Sequence, residues 1–236
     1  MRRLAALAAL LVVTLAGCSS PVGSNDEPTP TPLAVDVDAD IASGCWNASQ
    51  RTLPLSEGPG GTQVQQWSKV PANTLDPVKT YSATVVTDKG TFVIELFASE
   101  APVAVNNFVC LAKAGFFDGV VFHRIVADFV IQTGDPTGTG GGGPGYRFAE
   151  EPVTRQYTRG IVAMAKGRDP GTSGSQFFVC LADGGLRPDY TIFGEVTSGM
   201  ETVDAIAAVD TAINAAGEKS APLEPVVMES VTITEV

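Results

Sequence analysis

Histidine is nearly missing from this chain: His123 is the single one in 236 residues. That excludes a relay needing two imidazoles and any His-rich metal site. Cysteine is sparse as well. Cys18, Cys45, Cys110 and Cys180 are the only four, and none stands in CxxC spacing, so a Cys₄ zinc site finds no support. Cations are few, with 15 Lys and Arg against 26 Asp and Glu, for a formal charge of −11. A chain this short of positive charge offers no footprint for a nucleic-acid backbone. The 25 Gly and 16 Pro together stay below the collagen and low-complexity range. What remains is 44% hydrophobic, which is enough to bury a core, in a length suited to one ordinary domain with attachments.

The N-terminus bears on the compartment. Arg2 and Arg3 precede an apolar run from Leu4 to Ala16 that only Thr14 interrupts. It falls short of the roughly 20 residues needed to cross a bilayer core but suits the hydrophobic part of a signal peptide. The run closes on Leu15-Ala16-Gly17-Cys18, which resembles a bacterial lipobox. The resemblance implies removal of residues 1–17, diacylation of Cys18 and a domain held on the extracytoplasmic face of a membrane. An ordinary signal peptide with a chance cysteine is the alternative. The mature chain would carry −13, which adheres poorly to anionic headgroups, so the lipid on Cys18 would be the membrane contact.

Ser19 to Pro32 reads SSPVGSNDEPTPTP, too polar to fold and stiffened by proline into a tether. Residues 33 to about 78 hold both tryptophans, Trp46 and Trp67, with Leu53, Leu55, Val64 and Val70. Partial packing on a domain and an unstructured stalk both fit that composition. The expected organisation is a signal peptide at 1–17, a tether and partly ordered extension at 18–78, and a folded domain at 79–236.

From Thr80 the pattern is regular. Tyr81–Thr87 and Thr91–Phe97 are β-rich and joined by Asp88-Lys89-Gly90, a hairpin signal. A helix follows, capped by Ser99 or Glu100, with Pro102 in its first turn and Val105, Phe108, Val109 and Ala112 on one face. Gly115 ends it. Short strands are expected at Val120–Ile125, Phe129–Thr133, Ile161–Met164, Gln176–Leu181 and Ile192–Val196. A second helix around Met200–Ala208 turns Val203, Ile206 and Ala207 inward and precedes a last strand, Val226–Thr234. Many short strands with two helices predict a mainly β fold, a closed antiparallel barrel with the helices over its open ends.

Three motifs in order carry a resemblance: Phe122-His123-Arg124-Ile125 running on to Gln132-x-Gly134-Asp135, then Gly174-Ser175-Gln176-Phe177-Phe178, then Phe193-Gly194-Glu195-Val196. With Ala101-Pro102, Asn107-Phe108 and Gly115-Phe116-Phe117-Asp118-Gly119, residues 80–236 resemble a cyclophilin. The resemblance implies an eight-stranded barrel capped by two helices and peptidyl-prolyl cis-trans isomerase activity. No metal or cofactor is implied. The expected partners are proline-containing polypeptides and the expected state is a monomer. It further implies Arg124, Phe129 and Gln132 as catalytic residues, with Val130, Ala165, Gln176, Phe178, Leu186 and Tyr190 binding substrate.

The resemblance is incomplete at several positions. Gly185 stands where the family often has Trp, Tyr190 where its best-known members have His, and Val130 where Met is common. The segment from Ala165 to Ser173 is one residue longer than the eukaryotic form. The glycine-rich stretch Thr137–Gly145 lacks a GK[ST] ending and a following helix, so it reads as a flexible rim of the peptide groove rather than a phosphate loop. A peptide-binding holdase is the alternative function. It would need exposed apolar surface from residues 33–78. Once Cys18 is lipidated, at most one disulfide can form among the other three thiols.

Overall fold

The computed structural model describes residues 43–59, 62–167 and 170–236; the readings on Cys18, the signal peptide and the tether lie outside them. In chain order the strands are β1 (Arg51–Glu57), β2 (Gln63–Trp67), β3 (Tyr81–Thr87) and β4 (Gly90–Leu96), followed by helix α1 (Pro102–Lys113). Then come β5 (Val120–Val121), β6 (Arg124–Val126), β7 (Val130–Thr133), β8 (Ile161–Met164), β9 (Phe177–Cys180) and β10 (Ile192–Ser198). Helix α2 (Met200–Ala207), the short hairpin β11 (Thr211–Ile213) and β12 (Lys219–Pro222), and β13 (Val227–Glu235) complete it.

Nine strands form one antiparallel sheet in the order β5-β13-β3-β4-β10-β8-β9-β7-β6. The closed eight-stranded barrel expected from the sequence is not what forms. The sheet is a curled, open half-barrel whose edge strands β5 and β6 do not pair. The reason lies in the run read as a single strand, Val120–Ile125. It breaks at Phe122-His123, sending β5 to pair with β13 and β6 with β7 at the opposite edge. Across that break the Thr133 hydroxyl donates to the Val121 carbonyl at 3.0 Å, satisfying an edge acceptor that no ladder reaches.

Alternation along the strands sorts the core. In β3, Tyr81, Ala83, Val85 and Thr87 point inward; in β4, Phe92, Ile94 and Leu96 do. Strands β8 and β9 are buried and apolar on both faces, and β7 is so at Val130 and Ile131. Ile131, Val162, Phe177 and Val179 face the main core, while Val130, Ala163, Phe178 and Cys180 belong to a second cluster on the opposite face. The centre of the main core is aromatic: Phe108 packs against Phe117, Phe177 and Phe193 with ring centroids 5.0, 5.4 and 5.3 Å apart.

Helix α1 departs from its expected start. Ala101 is the N-cap and no side chain of its own turn caps it. Instead the Glu151 carboxylate, 48 and 47 residues along, accepts from the Val103 and Ala104 amides at 2.9 and 2.8 Å. Every residue from Ala104 to Ala112 is buried, not only the stripe expected from the periodicity. The N-terminal segment covers the outer face. The Asn106 side chain accepts from the Thr74 amide and donates to the Ala72 carbonyl, both at 2.9 Å, and Cys45 is disulfide-bonded to Cys110. Trp46 and Trp67 are buried and stack with centroids 4.3 Å apart. The β1–β2 hairpin that carries Trp67 pairs with a register shift. Cys180 is free and buried, and burial pushes its thiol up to about 12, so it is inert at neutral pH. In α2, Val203 and Ile206 are buried and Ala207 partly so.

Candidate active site

The sheet register builds the site. Arg124 on β6 lies opposite Gln132 on β7, Gln132 opposite Phe178 on β9, and Phe178 opposite Ala163 on β8. Cross-strand neighbours share a face, so a guanidinium, an amide and an aromatic ring are set in one row by backbone pairing alone. Phe129 joins them from the turn before β7. Asp128 adopts a left-handed conformation there, and the Phe129 amide donates back to the Val126 carbonyl at 3.1 Å.

These residues enclose a cavity of about 230 Å³ lined by Arg124, Phe129, Val130, Gln132, Ala165, Lys166, Phe178, Leu186 and Tyr190. Of the nine positions expected from the motifs, eight line it. Gln176 does not, but its side-chain oxygen accepts from Gln132 Nε2 at 3.0 Å, one step behind the wall. Phe178 and Tyr190 meet edge to face at 5.5 Å, and the Arg124 guanidinium carbon lies 5.9 Å from the Phe129 ring centroid. Tyr190 is held by Tyr157, whose hydroxyl donates to the Tyr190 carbonyl at 2.7 Å and accepts from its amide at 3.0 Å. Gly185 sits at φ +81°, and a Cβ there would lie 3.8 Å from the Phe129 ring. The wall that an aromatic residue would supply at that position is open.

A line of hydrogen bonds runs away from Arg124. Its Nη1 donates to Gln132 Oε1 at 3.3 Å, Gln132 donates to Gln176, and Gln176 Nε2 donates to the carbonyls of Gly142 at 2.8 Å and Gly140 at 3.1 Å. The glycine-rich stretch, expected as a flexible rim of the peptide groove, borders a second cavity of about 600 Å³ that Gln66 and Arg147 also line. It is tied to one carboxylate. Asp135 accepts from the Thr137 amide and hydroxyl at 2.7 Å and from the Gly142 amide at 3.0 Å. A side chain on Gly142 would run into Asp135 itself. Burial pushes the Asp135 carboxyl up, but the hydrogen bonds from Thr137 and Gly142 outweigh it and hold it below the ordinary value.

Two residues near Arg124 were missed in the sequence. Lys166 lines the cavity, with its ammonium 5.4 Å from the Tyr190 ring and 3.6 Å from a Glu150 oxygen. Glu218, on the β11–β12 hairpin, accepts from Arg124 Nε at 2.7 Å and from Nη2 at 2.8 Å. The Arg124 hydrogen bond is the chief reason the Glu218 carboxyl titrates below its ordinary value. Nothing local in the sequence joins Glu218 to an arginine 94 residues earlier.

The family model described as "Cyclophilin type peptidyl-prolyl cis-trans isomerase/CLD" matches residues 82–233. A peptidyl-prolyl cis-trans isomerase of Helicobacter pylori is 46% identical over 149 residues, covering 56% of this chain and 90% of that protein. Peptidyl-prolyl cis-trans isomerase A of Mycobacterium tuberculosis is 41% identical over 181 residues, 68% of this chain and 96% of the other. Among solved structures, a Cryptosporidium parvum cyclophilin type peptidyl-prolyl cis-trans isomerase aligns with a TM-score of 0.60 at 33% identity, over 66% of this chain and 98% of that one. The same protein solved in the presence of the dipeptide Ala-Pro aligns with a TM-score of 0.60 as well. A curled antiparallel sheet with two helices, carrying an arginine beside an apolar cavity, defines the class, and this chain belongs to the cyclophilin-type peptidyl-prolyl cis-trans isomerases.

Proposed function

We propose that this protein accelerates rotation about X–Pro bonds in exported or cell-surface polypeptides. It acts as a monomer held by lipid on Cys18 to the extracytoplasmic face of a membrane. The observation that carries the isomerase reading is the charged guanidinium of Arg124 on the wall of an otherwise largely apolar cavity. Amide resonance sets a rotational barrier of about 18–20 kcal/mol, and no nucleophile or cofactor is needed to lower it. The site must bind the twisted amide better than the planar one. As the C–N bond twists, the proline nitrogen pyramidalises and gains a lone pair, which the Arg124 N–H groups meet. Phe129, Val130, Phe178, Leu186 and Tyr190 hold the ring. Gln132 orients the arginine and the substrate carbonyl, while Gln176 holds Gln132 from behind the wall and the Ala165 amide and carbonyl are bonded to Gln176 and Ser173. A relative solved in the presence of Ala-Pro is consistent with a proline ligand for this pocket.

Export is supported by the Cys45–Cys110 bond, since disulfides persist in oxidising compartments. For the holdase alternative, Trp46 and Trp67 are buried and supply no exposed apolar surface, while Val70 and Val78 of the same segment are exposed. The test is isomerisation of an X–Pro peptide followed by NMR exchange, wild type against Arg124→Ala. Loss of one transition-state interaction should lower kcat/KM by about tenfold or more. An unchanged kcat/KM in folded Arg124→Ala protein would remove the proposed mechanism.

A further inference from the structure

Arg124 does not stand free at the wall of the cavity. A guanidinium carries five N–H bonds, and three are already committed: Nε and one on Nη2 to Glu218, and one on Nη1 to Gln132. One N–H remains on each terminal nitrogen, on a side chain that lines the cavity. The two-pronged bond fixes both the plane and the rotation of the guanidinium, which a single contact to Gln132 at 3.3 Å would not.

Glu218 is itself delivered by a stiff turn. The Asn214 side-chain oxygen accepts from the Ala216 and Glu218 amides at 2.9 and 3.0 Å, and the Glu218 carbonyl accepts from the Asn214 amide at 2.8 Å. Asn214 Nδ2 then donates to the Ser220 hydroxyl at 2.9 Å, locking the far side. The β11–β12 hairpin is a separate two-stranded sheet, outside the nine-stranded one, and its turn ends on the carboxylate that grips Arg124.

Resting on the isomerase reading above, we infer that Glu218 is a positioning residue for this reaction, holding the Arg124 guanidinium so that its two uncommitted N–H groups face the proline nitrogen. A carboxylate paired to Arg124 offsets part of its charge. Stabilisation of the twisted amide therefore comes from directed donors more than from net charge, and orientation is the quantity that matters.

The experiment is a double-mutant cycle on the full chain with Arg124→Ala, Glu218→Gln and both together, measuring kcat and KM by NMR exchange on an X–Pro peptide, with Tm for each. Glu218→Gln should lower kcat by about tenfold at nearly constant KM, because a misoriented catalytic group loses rate rather than binding. Glu218→Asp, which keeps the charge, should restore part of the loss. In the Arg124→Ala background Glu218→Gln should change nothing further. A kcat in Glu218→Gln equal to or above wild type, with Arg124→Ala still impaired, overturns the positioning role and leaves the isomerase reading intact. An Arg124→Ala protein with full activity would instead remove that reading. A Glu218→Gln loss as large with Arg124 absent as with it present would make the effect structural and also overturn the inference.

Discussion

Reducing the Cys45–Cys110 disulfide should cost this protein more than any single surface change. The bond closes a loop of 65 residues in the unfolded chain. In the chain-entropy treatment such a cross-link contributes about 4 kcal/mol at 25 °C. For a domain of this size roughly 2–4 °C accompanies each kcal/mol, so Tm should fall by about 8–16 °C. The value depends on whether the N-terminal segment melts with the domain or before it. The structure favours one unit, because the stacked Trp46 and Trp67 join the main core and the Trp67 amide donates to the Pro144 carbonyl at 2.8 Å. Both tryptophans of the chain lie in that segment, so their fluorescence reports on it alone while far-UV circular dichroism reports on the whole sheet. The two probes should give one coincident transition in the oxidised protein and a coincident, lower one after reduction. Fluorescence melting well ahead of circular dichroism in the oxidised protein, or an unchanged Tm on reduction, would refute the argument.

Burial raises the Asp118 carboxyl to about 6, against 3.8 for the free side chain. The folded state therefore holds that proton more tightly between about pH 4 and 6, stability falls as pH rises through the window, and the ionised group opposes folding above it. Asp118→Asn should raise Tm at pH 7.5 and lose its advantage by pH 4; an advantage equal at both pH values would contradict the assignment. At the N-terminus, acyl labelling and intact mass should find wild-type protein beginning at a lipidated Cys18. Cys18→Ser should abolish the label with isomerase activity unchanged, since two or three acyl chains anchor firmly and the acidic chain supplies no second signal. Unlabelled wild-type protein starting elsewhere would show the lipobox reading to be wrong.

The pocket was largely legible because its residues fall in short motifs whose neighbours in sequence are neighbours across the sheet. Arg124 and Gln132 face each other over a tight hairpin, and Phe178 lies one strand further. What escaped depends on distance along the chain. Glu151 caps α1 from 48 residues away, so the local candidates Ser99 and Glu100 looked sufficient. Glu218 reaches Arg124 only because the β11–β12 hairpin stands against β6. The β1 strand contains Pro54, which ordinarily argues against a strand, and its pairing with β2 is irregular. The break at Phe122-His123 was hidden because a short β-rich run of that length reads the same whether it is one strand or two. Sheet closure is a property of pairing partners, which periodicity does not carry.

The disulfide also decides how the molecule would bear a load. A pull arriving from the N-terminal side reaches Cys45 and crosses the covalent bond to Cys110, only 14 residues before Arg124 in the sequence. If the opposing pull comes from a polypeptide seated in the pocket, the force bypasses everything between the two cysteines. The β1–β2 hairpin, β3, β4 and most of α1 lie on that slack branch. Tension that would otherwise peel the tryptophan-bearing hairpin from the domain passes instead through a bond that does not unzip.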